Sequence, residues 1–167
     1  MGSGEQRKNL DLTISHSEFV IQLPDAAATR RLGVALGRSL PAGSVLLLAG
    51  ELGSGKTTLV QGIGAGLGMQ ETIDSPTFTL IQEYQDGRLP LYHFDLYRLT
   101  PAEAATLYPE SYWEGLDVEP GIVAIEWAER LPYKPESYLL IGLTYDEGTG
   151  RHAALRTIGS LEVKLTL

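Results

Sequence analysis

Cysteine is absent from the 167 residues, which excludes disulfides and thiolate metal ligands and leads us to expect a cytoplasmic protein. Histidine is scarce: His16, His93 and His152 lie too far apart to show zinc-ligand spacing. Basic residues are outnumbered, 13 Lys and Arg against 21 Asp and Glu, for a net charge of −8. So acidic a chain does not grip nucleic acid through its own field, and a partner is expected to hold any nucleic acid involved. The longest purely apolar run, residues 45–49, is far too short to span a bilayer. No basic segment followed by an apolar one opens the chain, so secretion is not expected. Internal repeats and low-complexity linkers are missing too.

What is present fits a soluble globular domain. Hydrophobic residues make up 43% and charged residues 20% of a chain long enough to bury one sizeable core. Residues 1–16 read as a flexible N-terminus and 17–167 as the domain. "SEFVIQL" (17–23) predicts a short strand. Asp25 then caps a helix whose apolar stripe is Ala28, Leu32, Leu36 and Leu40, ended by Pro41 and Gly43. "VLLLAG" has the continuous apolarity of a strand buried on both faces. A second helix is expected from Lys56, with Leu59, Ile63 and Leu67 on one side. Gly62, Gly64 and Gly66 weaken it by about 1 kcal/mol each against Ala, and are read as positions of close packing on the sheet.

"FTLIQEY" and "LPLYHFDLY" flank Asp86-Gly87, the pattern of a hairpin. Residues 101–113 look helical at their start and irregular later. "GIVAIEW" predicts another buried strand, and "SYLLIGLTY", "RHAALRTIG" and "LEVKLTL" predict three more. The fold class is α/β: one domain with a mixed central sheet flanked by helices, parallel near the glycine loop and antiparallel in the hairpins.

Between the strand at 45–49 and the helix at Lys56, residues 50–57 read Gly-Glu-Leu-Gly-Ser-Gly-Lys-Thr, the phosphate-loop pattern G-x-x-x-x-G-K-[ST]. Glycines let consecutive backbone N–H groups turn inward as an anion nest, and the helix N-terminus points its positive end at the same place. Lys56 can reach β- and γ-phosphates, and the Thr57 hydroxyl can bind Mg²⁺. Gly50, Glu51, Leu52, Gly53, Ser54, Gly55, Lys56, Thr57 and Thr58 are therefore candidate residues for binding a nucleoside triphosphate. Glu51, an anion beside phosphates, is expected to face outward or to pair with a base. Such a site also needs carboxylates at neighbouring strand ends. Glu126, after four apolar residues, and Asp95, after the strand at 91–94, are the candidates. Trp127 either lines the site or is a buried structural Trp. His93 shares a strand face with Asp95 and reads as a structural histidine. Arg98 neutralises phosphate or pairs with a carboxylate.

"GELGSGKTTLVQGIGAGLG", "SPTFTLIQEY", "LYHFDLYRL" and "IEWAERLP" follow in this order, and over residues 23–151 the chain resembles the TsaE (YjeE) family of bacterial ATPases. The resemblance implies a P-loop NTPase fold and a Mg²⁺-dependent ATPase, slow by itself, that is needed for threonylcarbamoyl modification of the adenosine beside the tRNA anticodon. It implies ATP on the phosphate loop with Lys56, Mg²⁺ held by Thr57 and Glu126, and Asp95 serving in hydrolysis. Trp127 would be functionally sensitive, Ser75-Pro76-Thr77-Phe78 a nucleotide-responsive segment, and Arg151 a nucleotide contact. The implied partners are the transferase subunit TsaD and its companion TsaB, with tRNA reached only through them. The implied role is an ATP-driven reset of that complex. Glu51 departs from the Asp common in the family, and "AATLYPESYWEGLDVEPG" (104–121) departs more. The rival readings are a small-molecule kinase, which lacks a clustered Arg lid here, and a GTP-operated switch, which lacks an Asn-Lys-x-Asp motif.

Overall fold

The computed structural model describes residues 10–51, 53–76, 79–148 and 150–167. A seven-stranded sheet runs in the order β2-β8-β7-β3-β6-β5-β4, beside a two-stranded ribbon of β1 and β9. The strands are β1 (Asp11–Ile14), β2 (Phe19–Leu23), β3 (Val45–Ala49), β4 (Ile81–Tyr84), β5 (Leu91–Asp95), β6 (Ile122–Glu126), β7 (Tyr138–Tyr145), β8 (Arg151–Ile158) and β9 (Val163–Thr166). The helices are α1 (Ala26–Ser39), α2 (Lys56–Gly66), α3 (Pro101–Ala105) and α4 (Glu110–Glu114). The expected α/β domain with a mixed sheet is the one observed. β3 lies parallel to both β6 and β7, and β5 is parallel to β6. The β4–β5 and β7–β8 pairs are antiparallel hairpins.

β3 shows why a continuous apolar run sits at the centre. Leu46 and Leu48 face one core with α1 and α2, while Val45 and Leu47 face a second with α3 and α4. Alternate residues point to opposite faces of a strand, so a strand covered on both sides can be apolar throughout. In the second core the Tyr112 ring meets Tyr92 and Phe94 edge-on, both at 5.1 Å between centroids. Asp25 caps α1 as expected, its side chain accepting from Ala28 N at 2.8 Å. Among the described residues, no helix is long and apolar enough to cross a membrane.

Three expectations are corrected. The domain begins before residue 17: Asp11–Ile14 pair with β9, and Ile14 is fully buried. Residues 1–9 lie outside the described residues. Of the strand expected over 78–84, Phe78 lies outside the described residues, and β4 starts at Ile81 because Leu80 takes a left-handed φ of 66° that extended pairing does not accommodate. The glycines of α2 pack mainly against α1, not the sheet. A Cβ at Gly62 would stand 2.2 Å from Arg30 O, and one at Gly66 2.3 Å from Val34 O; Gly33 and Gly37 of α1 face them. Two glycines per helix, four residues apart, thus let the backbones touch. Gly64 instead leaves room for Ile73.

Candidate functional site

β3 delivers the chain to the loop at the carboxyl edge of the sheet, and α2 carries it away from Lys56. The sharp turn depends on glycine at both ends of the loop. Gly50 has φ 148°, and a Cβ there would lie 2.5 Å from Ser54 Oγ and 2.8 Å from Leu143 O. Gly55 caps α2 at φ 107°, and a Cβ would lie 2.4 Å from Arg151 Nη1. No side chain caps the helix, and the first-turn N–H groups of an α-helix lack intrahelical partners. Ser54 is buried and its Oγ is unpartnered.

Beside the loop lies a cleft of about 390 Å³ lined by Gly53, Gly55, Lys56, Thr57, Thr58, Ser75, Asp95, Tyr97, Arg98, Glu126, Trp127 and Arg151. The parallel β5–β6 register sets Asp95 directly opposite Glu126. Both carboxylates are largely buried, at 8% and 4% exposure. Asp95 is held at both oxygens: Tyr97 N donates to Oδ1 at 3.0 Å, and the Ser75 hydroxyl donates to Oδ2 at 3.3 Å. His93 Nε2 lies 2.6 Å from Glu126 Oε2. The Lys56 ammonium spans the loop, donating to Gly50 O at 2.5 Å with Nζ 4.3 Å from the Trp127 ring centroid. Trp127 holds this position through a left-handed backbone (φ 58°) just after β6 and lies 4.8 Å from the Tyr97 ring. The placement of Lys56 over Trp127 matches a cation–π contact.

The far side of the loop is braced by the β7–β8 hairpin. Arg151 Nη1 donates to Ser54 O at 2.8 Å, and the Tyr145 hydroxyl donates to Gly53 O. The arginine also sits over the Tyr145 ring, 5.4 Å from its centroid. Arg151 thus lines the cleft while gripping the loop. Of the residues singled out by sequence, Gly53, Gly55, Lys56, Thr57, Thr58, Ser75, Asp95, Glu126, Trp127 and Arg151 come together. Glu51 is exposed and, with Gly50, borders a separate groove next to Leu143, Thr144 and Tyr145. Ser54 is buried within the loop and does not line the cleft. Leu52, Thr77 and Phe78 lie outside the described residues. Tyr97, Tyr145 and the pairing of His93 with Glu126 escaped the sequence reading. The spacing in His93-x-Asp95-x-Tyr97 hinted at Tyr97 and the His93 pairing but not at Tyr145, because strand register decides which side chains meet.

A phosphate-loop sequence between a buried parallel strand and a helix N-terminus, with two carboxylates on the adjoining strand ends, defines an α/β protein of the P-loop type. The family model described as threonylcarbamoyl adenosine biosynthesis protein TsaE matches residues 23–153, and the chain belongs to the TsaE family. The tRNA threonylcarbamoyladenosine biosynthesis protein TsaE of a Nostoc strain is 58% identical over 135 residues, covering 81% of this chain and 83% of its own. Its namesake from a Synechocystis strain is 56% identical over 113 residues, covering 68% and 72%. Among solved structures, YdiB of Bacillus subtilis superposes with a TM-score of 0.68 at 30% identity, covering 85% of this chain and 86% of that one.

Proposed function

We propose that this protein binds and hydrolyses Mg²⁺-ATP, and that it does so in the biosynthesis of threonylcarbamoyladenosine in tRNA. The pathway follows from family membership. The observation that carries the ATPase reading is the cleft, which gathers loop backbone, one buried ammonium and two buried carboxylates at the mouth of β3. The loop's turned glycines and the uncapped start of α2 suit an anionic phosphate tail. Among the described residues no three His, Asp or Glu side chains form a ready-made metal cluster. A cation here would therefore lean on phosphate oxygens plus Thr57 and Glu126, the all-oxygen, partly borrowed shell that suits Mg²⁺. When bound, Mg²⁺ would neutralise part of the phosphate charge.

The chain's own groups do the rest. Lys56 exchanges its contact with Gly50 O for phosphate oxygen and neutralises charge on the transferring group. Asp95, fixed by Tyr97 N–H and Ser75, orients the attacking water and receives its proton as the bond between the β,γ-bridging oxygen and the γ-phosphorus breaks. The burial of both carboxylates keeps them at low local dielectric, where such interactions are strong. ATP is favoured over GTP because no Asn-Lys-x-Asp motif is present.

TsaD and TsaB are the proposed partners, with tRNA held by their complex in the cytoplasm. The acidic net charge of −8 accords with that division, since tight tRNA binding uses basic surfaces. Hydrolysis would reset the complex between rounds. The test is Lys56→Ala assayed for nucleotide affinity and phosphate release. Losing one charge-assisted contact should weaken Mg²⁺-ATP binding by about 10–100-fold and abolish turnover. Unchanged affinity and rate would contradict the proposal. Appearance of a phosphorylated small molecule in place of free phosphate would point to a kinase.

A further inference from the structure

Glu126 is almost fully buried, and one of its oxygens is already committed. His93 is itself completely buried, with Nε2 at 2.6 Å from Glu126 Oε2. A carboxylate only accepts, so the imidazole places its hydrogen on Nε2, and the buried Nδ1 has no partner. A ring kept merely to satisfy the core would be expected to use both nitrogens; this one spends its only hydrogen bond on Glu126. The strand register makes the contact possible. His93 sits opposite Ala124, whose single methyl group leaves room for the ring to reach the neighbouring Glu126, while Asp95 stands directly opposite Glu126 at the cleft. Fixing Oε2 from below leaves Oε1 as the oxygen that can serve the cleft.

We propose that His93 is a positioning residue. It locks the Glu126 carboxylate in the rotamer that presents one oxygen to the divalent cation accompanying the nucleotide. This rests on the reading of the cleft as a Mg²⁺-nucleotide site and goes one shell beyond it. A buried hydrogen-bond partner behind a metal ligand fixes its orientation, and losing it typically costs 10–100-fold in metal affinity.

The experiment compares wild type, His93→Leu, His93→Asn and His93→Gln. Affinity for a non-hydrolysable ATP analogue is measured twice for each, with Mn²⁺ standing in for Mg²⁺ and with EDTA. The ratio of the two affinities reports the cation's contribution and needs no turnover. In His93→Leu and His93→Asn that ratio should fall about 10–100-fold while the affinity in EDTA stays within about twofold of wild type. His93→Gln, whose amide nitrogen reaches about as far as imidazole Nε2, should restore most of it. Adding His93→Leu to Glu126→Gln should cost nothing further. Should the leucine variant fail to fold, the contrast between His93→Asn and His93→Gln carries the test. An unchanged ratio in both His93→Leu, which removes the donor, and His93→Asn, which draws it back, overturns the inference, as does an equal loss with and without cation, which would mean a purely structural histidine. A wild type that binds the analogue under neither condition overturns the nucleotide reading itself.

Discussion

One methyl group at Gly55 would press against the Arg151 guanidinium and force a side chain into φ 107°. A flexible arginine can retreat, but the backbone strain of about 1–3 kcal/mol remains. Gly55→Ala is therefore expected to lower the unfolding free energy by about that amount, read from urea midpoints, and to weaken nucleotide binding by releasing Arg151 from Ser54 O. A variant as stable as wild type would show that the loop does not need this conformation. The loop is legible in sequence because each residue type answers a local backbone demand: glycine for the turn, lysine for charge, threonine for the first helical turn. Trp127 is harder to read. Its contact with Lys56 joins residues far apart in the chain and depends on a left-handed backbone that no sequence pattern announces.

The two-helix layer behind the loop is held by close backbone contact. A Cβ at Gly33 would lie 2.3 Å from Leu59 O and 2.8 Å from Gly62 Cα, both backbone atoms that move only if a helix moves. Gly33→Ala should thus destabilise the fold by about 1–3 kcal/mol, although alanine is the better helix former. Stabilisation instead would mean that the two helix backbones do not touch at Gly33. The length and apolar face of α1 follow from its stripe and the Asp25 cap. What that face meets does not, because periodicity gives a side of a helix and not its neighbour. The same limit hid β1. Four alternating residues are too few to stand out, and their partner β9 lies at the opposite end of the chain. The central strands were legible because their apolar runs are continuous, and the hairpins because Asp86-Gly87 and the turn after Tyr145 punctuate them.

For the molecule as a whole, stability should carry an alkaline limit set by buried tyrosines. Burial, aided by the nearby Glu83 and Glu119 carboxylates, raises the Tyr92 hydroxyl above its ordinary 10.0. Its proton is also committed to Glu119 O at 2.6 Å. Tyr84 and Tyr112 shift the same way, again chiefly through burial. Because the folded pKa lies above the unfolded one, the contribution is complete below about pH 10 and is lost as pH climbs from there through the higher folded value. Urea midpoints should fall as pH rises above about 10, and less steeply in Tyr92→Phe; parallel curves would assign the limit to other groups. At this scale, too, the proposed ATPase should be slow alone and faster with the TsaD–TsaB complex and tRNA. Equal phosphate release with and without them would remove the proposed reset. Whether the β3–α2 loop holds the phosphates of ATP is decided by a crystal structure with Mg²⁺ and a non-hydrolysable ATP analogue. Phosphate oxygens should lie against the amides of the loop and the first turn of α2, with the Lys56 ammonium moved from Gly50 O onto them; an analogue seated elsewhere, with Lys56 still on Gly50, would refute the phosphate-loop reading.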